Sequence, residues 1–260
     1  MNALIQQVGA SQTAGFFLVL ARISPLFVLA PIFSSRLMPA RARGIAAVAL
    51  AVGMAPAATA GKNIPLDVFG LGSLIAKELL IGMAFAFAVA VVFNAISIAG
   101  SFLDTLVGFS YGSLIDPVTG AQSPVLSQMY GMFGVLIFIA IGGDGWMIQG
   151  LAKTYDLVPL LSFPSLGALV GGANSAFVQI FVSALELAAP VLIAVTITDA
   201  AFGIVARVSP QMNVFQVGLP AKIMIALLVM GASLPFAAGW ISDSLQGGIN
   251  NSLQSLKVAR

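Results

Sequence analysis

The stretch DTLVGFSYGSLIDPVTGAQSPVLSQ, residues 104–128, sets glycines, prolines, serines and two aspartates between two long apolar runs. Lipid offers no hydrogen-bond partners, so irregular backbone at membrane depth is tolerated only where protein buries it or where it lines a water-filled cavity. The segment therefore predicts a loop that lines or blocks a path, a plain connector on a membrane surface being the other reading. Within it Gly108, Gly112 and Gly120 give backbone freedom, and Asp116 ahead of Pro117 starts a turn. Phe109, Tyr111, Leu114 and Ile115 supply apolar filling, and Pro124 closes the segment. Asp104 either faces a lumen or caps the helix end beside the loop.

The flanks decide the class. A chain of 260 residues with 59% hydrophobic and 8% charged side chains and a mean hydropathy of +1.05 has the composition of a membrane protein. A membrane barrel would alternate polar and apolar residues over segments of about ten, and no such alternation is sustained here. The expectation is an all-α membrane protein of bent and broken helical hairpins. Cysteine and histidine are both absent, which removes disulfides, thiolate nucleophiles, the usual zinc sites and the commonest general base. An enzyme is not expected, nor is a metal or other cofactor. The net charge of +2 gives no reason to expect nucleic acid.

Six hydrophobic segments are read along the chain, at residues 15–33, 45–60, 79–99, 125–141, 176–198 and 223–240. The residues before the first carry no charge, so the cationic region of a cleavable signal is missing and this run is expected to stay. Arg22, Pro25 and Pro31 make it a kinked helix or one that sits against protein. Arg36, Arg41 and Arg43, with no acid among them, assign the following loop to the cytoplasm and the N-terminus to the outer side. Lys77 and Glu78 stand at the entry to the third run and, as neighbours on a helix, are not assumed to pair. GGDGW at residues 142–146 breaks the fourth run, with Trp146 suited to an interface. Residues 156–175 read as a connecting loop with short helical pieces. In the tail, Ile241, Leu245, Ile249, Leu253 and Leu256 form one apolar stripe, expected to dock on a membrane surface or a partner.

Arg22, Glu186 and Asp199 are the charges set inside or at the edge of apolar runs. Such groups are functional candidates by default, because burying them unpaired costs several kcal/mol. Ion pairs or hydrogen bonds to neighbouring subunits account for them better than a proton relay does. A pair between Asp199 and Arg207, two turns on, is one option within the chain.

Several strings together resemble one family: ARISPLFVLAPIF from Ala21, KELLIGMAF from Lys77, GFSYGSLIDP from Gly108, SPVLSQMY from Ser123, GGDGW from Gly142 and RVSPQMNVFQVGLPAK from Arg207. Their order and spacing are similar to the flagellar biosynthetic protein FliR family, whose injectisome counterparts are the T subunits of the type III secretion export apparatus. The resemblance implies a single-copy subunit of the flagellar export gate, without enzymatic activity, in the bacterial inner membrane within the basal body. It implies partnership with P and Q subunits, with the B-type switch subunit and the A-type subunit, and passage of unfolded secreted substrates. An injectisome gate subunit is the alternative, and a small-solute secondary transporter a more distant one, since no internal repeat is evident.

The resemblance also divides the chain. Residues 1–155 would be P-subunit-like, 156–175 a connector, 176–240 a Q-subunit-like hairpin and 241–260 an amphipathic tail. The family's plug loop falls on residues 108–124, naming Gly108, Phe109, Tyr111, Gly112, Leu114, Ile115, Asp116, Pro117, Gly120 and Pro124. Its cytoplasmic entrance turn falls on Arg207, Pro210, Gln211, Asn213, Phe215, Pro220 and Lys222. Arg22, Glu186 and Asp199 would be the buried charges that meet other subunits. The apolar segments would not be simple bilayer spans.

Overall fold

A computed structural model describes residues 2–30, 33, 38–62, 64–109 and 124–256. Among them are eight helices, α1 (Asn2–Leu29), α2 (Ala40–Thr59), α3 (Val68–Val107), α4 (Val125–Ala140), α5 (Gly143–Leu157), α6 (Leu166–Val208), α7 (Val214–Ala232) and α8 (Leu234–Ser255). The all-α expectation holds. By length and composition α1, α2, α3, α6 and α7 qualify as membrane spans, and the pair α4 and α5 adds a sixth if taken as one broken span.

The ends of these helices follow from local chemistry. Asp67 precedes α3 and accepts from the Gly70 N–H at 2.6 Å, satisfying one of the donors that the first helical turn leaves free. Asn213 does the same for α7, accepting from Gln216 N–H at 3.2 Å. Gly142, at φ 70°, takes the left-handed conformation that separates α4 from α5, as the GGDGW string predicts.

Two helices are much longer than the runs read from the sequence. With 40 and 43 residues, α3 and α6 each carry about 60 Å of axis at 1.5 Å per residue, twice the roughly 30 Å thickness of a hydrocarbon core. Lys77 and Glu78 do not mark the entry of α3; they lie well inside it and are buried. The connector shrinks in the same way, because α6 already begins at Leu166 and carries Gly167, Gly171 and Gly172 as helix. Each interior glycine costs about 1 kcal/mol of helix stability; close packing accounts for Gly172, where a Cβ would meet the Ser255 side chain at 2.6 Å, while Gly167 and Gly171 face open space.

The chain forms two compact units that cut across its linear order, one of Met1–Val91, Gly142–Phe177 and Leu245–Arg260, the other of Val92–Ile141 and Val178–Ser244. In the first, Leu18 and Ile23 of α1, Ile81 and Phe85 of α3, and Met147 and Leu151 of α5 are fully buried. The second is built around Ile96 and Leu103 of α3, Leu126 and Phe138 of α4, and Val191 and Val195 of α6. Phe93 and Phe138 meet edge to face there, ring centroids 5.4 Å apart.

The tail differs from expectation. Ile241, Leu245, Ile249 and Leu256 are buried within the chain, not held out for a membrane or a partner. Leu256 joins Ile81 and Val158 in one apolar cluster, and Ile249 closes on α5 where Gly150 leaves room, 2.8 Å from the position a Cβ would take. The stripe is real, with Leu253 partly buried as well, but it faces inward.

Candidate functional site

The two feet of the central loop are described, and they are tied to each other. At one foot, Gly108 follows α3 at φ 106°, backbone that favours glycine, and donates its N–H to the Asp104 carbonyl at 3.2 Å. The other foot is Pro124, whose side chain offers no acceptor for the first turn of α4. Asp104 supplies it from α3: its carboxylate accepts from Leu126 N–H at 2.8 Å and from Ser127 N–H at 3.0 Å. The same group is 4% exposed. A carboxylate at a helix N-terminus is favoured by the helix dipole as well as by the hydrogen bonds. Of the two readings of Asp104, capping is the one the structure adopts, on the helix after the loop.

Close backbone approach reinforces this tie. A Cβ on Gly100 would land on the Ser127 Cα, and one on Gly134 would come within 2.8 Å of Ile96. Ser127 also donates its hydroxyl to the Ser97 carbonyl at 3.1 Å. Phe109 is half-buried beside Gly108. Tyr111, Gly112, Leu114, Ile115, Asp116, Pro117 and Gly120 lie outside the described residues.

The second candidate element is the turn between α6 and α7. Ser209 N–H bonds back to Val205 at 2.8 Å and Met212 N–H to Ser209 at 3.1 Å, so the chain reverses within a few residues before Asn213 caps α7. Arg207, Pro210, Gln211, Asn213 and Pro220 are exposed, and Phe215 presents 71% of its surface. Behind the turn Lys222 pairs with Asp199 at 2.8 Å, so Asp199 finds its partner on the facing helix rather than in Arg207. Phe202 sits 3.6 Å from where a Gly218 Cβ would be, and a groove of about 310 Å3 opens beside it, lined by Val107, Asp199, Phe202, Phe215 and Lys222. Val107 is the last residue of α3, immediately before the loop. Glu186 is exposed on α6 and accepts from the Trp240 indole N–H at 3.2 Å.

A third group of charges is sealed inside the first unit. Arg22, of zero exposure, ion-pairs through Nε with Glu78 Oε2. Its other nitrogens donate to the Thr154 carbonyl at 3.0 Å, which also accepts from the Val158 N–H, and to the Val158 carbonyl at 2.8 Å. The guanidinium also lies 4.2 Å from the centroid of the Tyr155 ring, within cation–π range. Lys77 donates to the Leu160 carbonyl and stands 2.9 Å from Glu78 Oε1, a charge contact rather than a well-directed hydrogen bond. Neighbours on a helix point apart, but the long lysine stem reaches back, and the two do pair. Gly82 lets this happen, since a Cβ there would strike the Arg22 carbonyl. Arg22, expected to meet another subunit, thus has its partners within the chain. Among the described residues no three acidic side chains converge in a way that would hold a metal.

Residues 13–248 match the family described as Bacterial export proteins, family 1. The chain belongs to this family. Among its relatives, the flagellar biosynthetic protein FliR of Bacillus subtilis is 34% identical over 88% of this chain and 88% of its own length. The Escherichia coli protein of the same name is 28% identical, covering 86% and 85%. The surface presentation of antigens protein SpaR of Salmonella typhimurium is also 28% identical, covering 87% and 83%. Membership in the export-protein family makes other export components the partners of this chain.

Within this member of the export-protein family, sequence reasoning singled out the reversal between α6 and α7 and Arg22 as a charge that needs partners, but missed Lys77 and Glu78 as buried partners. The signal was present, in that two charges inside a strongly apolar helix require neighbours. What the arrangement does is hold helix ends and neighbouring helices together. Among the described residues, Arg22 and Lys77 pair with Glu78, Lys222 pairs with Asp199, and Asp104 caps α4.

Proposed function

We propose that this chain is the single-copy subunit of the flagellar type III protein export gate, and that it helps form and seal the channel through which unfolded flagellar proteins pass. The observation that carries the reading is the end-to-end likeness to flagellar biosynthetic proteins, 34% over 88% of the chain in one case. Its position is the bacterial inner membrane within the basal body, and its neighbours are the P and Q subunits, with the B-type switch subunit and the A-type subunit beyond them. Residues 108–124 form the plug, the α6–α7 turn the cytoplasmic entrance, and Glu186 and Asp199 contacts to adjoining subunits. The exposure of the turn and of both acids supports these roles, as does the anchoring of the loop's two feet by Asp104.

An apolar plug resists ions by dewetting and needs no catalytic group. No phosphate-binding loop of the Walker type is present in the sequence, so the driving force comes from another component. Deleting residues 111–119 in an assembled gate should raise small-ion leak while leaving the complex intact. Unchanged conductance in a correctly assembled deletion mutant would return the loop to a connector. The SpaR likeness, 28% over 87% of the chain, favours an injectisome gate as the second reading; rescue of motility in a strain lacking its own flagellar subunit separates the two.

A further inference from the structure

The first unit carries a polar groove that none of these roles uses. About 260 Å3 in volume, it runs between α5 and α8 and is lined by Trp146, Gln149, Lys153, Gln246, Ile249 and Asn250. Its existence follows from Gly150: with a Cβ there Ile249 would be forced away, so the helices close over a shallow apolar floor while longer polar side chains stand along both rims. Three carboxamides, an indole N–H and one ammonium converge on it, and no carboxylate lines it. Among the described residues, no hydrogen bond or ion pair engages Lys153. The lining is thus rich in donors, carries a positive charge without a counter-ion, and has apolar surface beneath.

A site of that chemistry accepts an anion with several acceptor oxygens, and the apolar floor calls for a ligand with a hydrocarbon continuation. We propose that this groove binds the phosphate of an anionic phospholipid. Lys153 supplies the charge, Gln149, Gln246 and Asn250 donate through their amides, and Ile249 lies against the start of the acyl chains. Trp146 fits the headgroup level, where amphipathic rings are enriched.

The test uses the assembled complex in nanodiscs of phosphatidylcholine with and without phosphatidylglycerol, with retained lipid read by native mass spectrometry. Phosphatidylglycerol should be retained selectively. Because one lysine near an anionic lipid surface is worth about a fivefold change in affinity, Lys153→Gln should lower retention by about that factor, and Lys153→Gln with Gln149→Ala by more. The charge-matched control Lys62→Gln should retain lipid as the parent does. Equal retention by parent and double variant would overturn the proposal, as would equal loss in the Lys62 control. Inorganic phosphate that binds alone at millimolar concentration, without any preference for phosphatidylglycerol, would overturn the assignment to a lipid.

Discussion

Both compact units place charge in apolar surroundings, and they treat it in opposite ways. In the first, Arg22, Lys77 and Glu78 are enclosed, and their remaining donors go to backbone carbonyls at Thr154, Val158 and Leu160. In the second, Asp199 and Lys222 pair where the aspartate side chain is still 48% exposed, and Glu186 has a single indole partner on an open face. An enclosed charge has to be compensated by its own chain, since nothing else reaches it. An exposed charge on an apolar helix leaves its compensation to whatever covers that helix. The first cluster is thus internal architecture, while the second lies open on a helix that also exposes Phe181, Ile193, Ile197 and Ile204.

The largest expected effect is at Glu78. Glu78→Ala leaves two buried cations without a counter-charge, which costs about 3–5 kcal/mol, and should lower the unfolding temperature of the detergent-solubilised chain sharply. Adding Arg22→Leu should recover part of that loss, and no recovery would mean that the two charges do not act as a pair. Next comes Gly82→Ala, which forces α1 and α3 apart at the Arg22 carbonyl and should cost about 1–3 kcal/mol by overpacking, seen in the same melt.

Asp104→Asn keeps one acceptor and loses the charge at the start of α4, for about 1 kcal/mol. Hydrogen exchange at Leu126 and Ser127 should report it first, and protection equal to the parent there would remove Asp104 as the cap. The smallest effect on stability belongs to Asp199→Asn, no more than about 0.5 kcal/mol for a half-exposed pair. Its consequence should appear as weaker co-purification with the other export components. A melt shifted as far by Asp199→Asn as by Glu78→Ala would break the contrast between the two units.

Much of the fold was legible because apolar runs and breakers are local signals. The GGDGW break and the reversal at residues 209–213 fall where glycine, proline and an asparagine cap put them. Partners were less legible, since they depend on which helix lies opposite. Asp199 has Arg207 within reach along its own helix and yet bonds Lys222, 23 residues away. The stripe from Ile241 to Leu256 shows the same limit: its period reveals an apolar face but not whether lipid, a partner or α5 covers it. Residue length misled in the third run, where Lys77 and Glu78 resemble a helix boundary only until Arg22 and Leu160 are seen beside them. Of the candidate site, the reversal between α6 and α7 could be read. The Asp104 cap on α4 rests on a contact across 22 residues, and no spacing rule marks it.

That cap also bears on how the length of the chain between α3 and α4 can change. Pro124 offers no side-chain cap to α4, so the donors at Leu126 and Ser127 are satisfied from the end of α3, and the first turn of α4 depends on α3 being in place. Closing a flexible loop costs only about 0.6 kcal/mol more for each doubling of its length. With Gly108 and the start of α4 both held by Asp104, a change in the number of residues between them would come at little expense to α3 or α4.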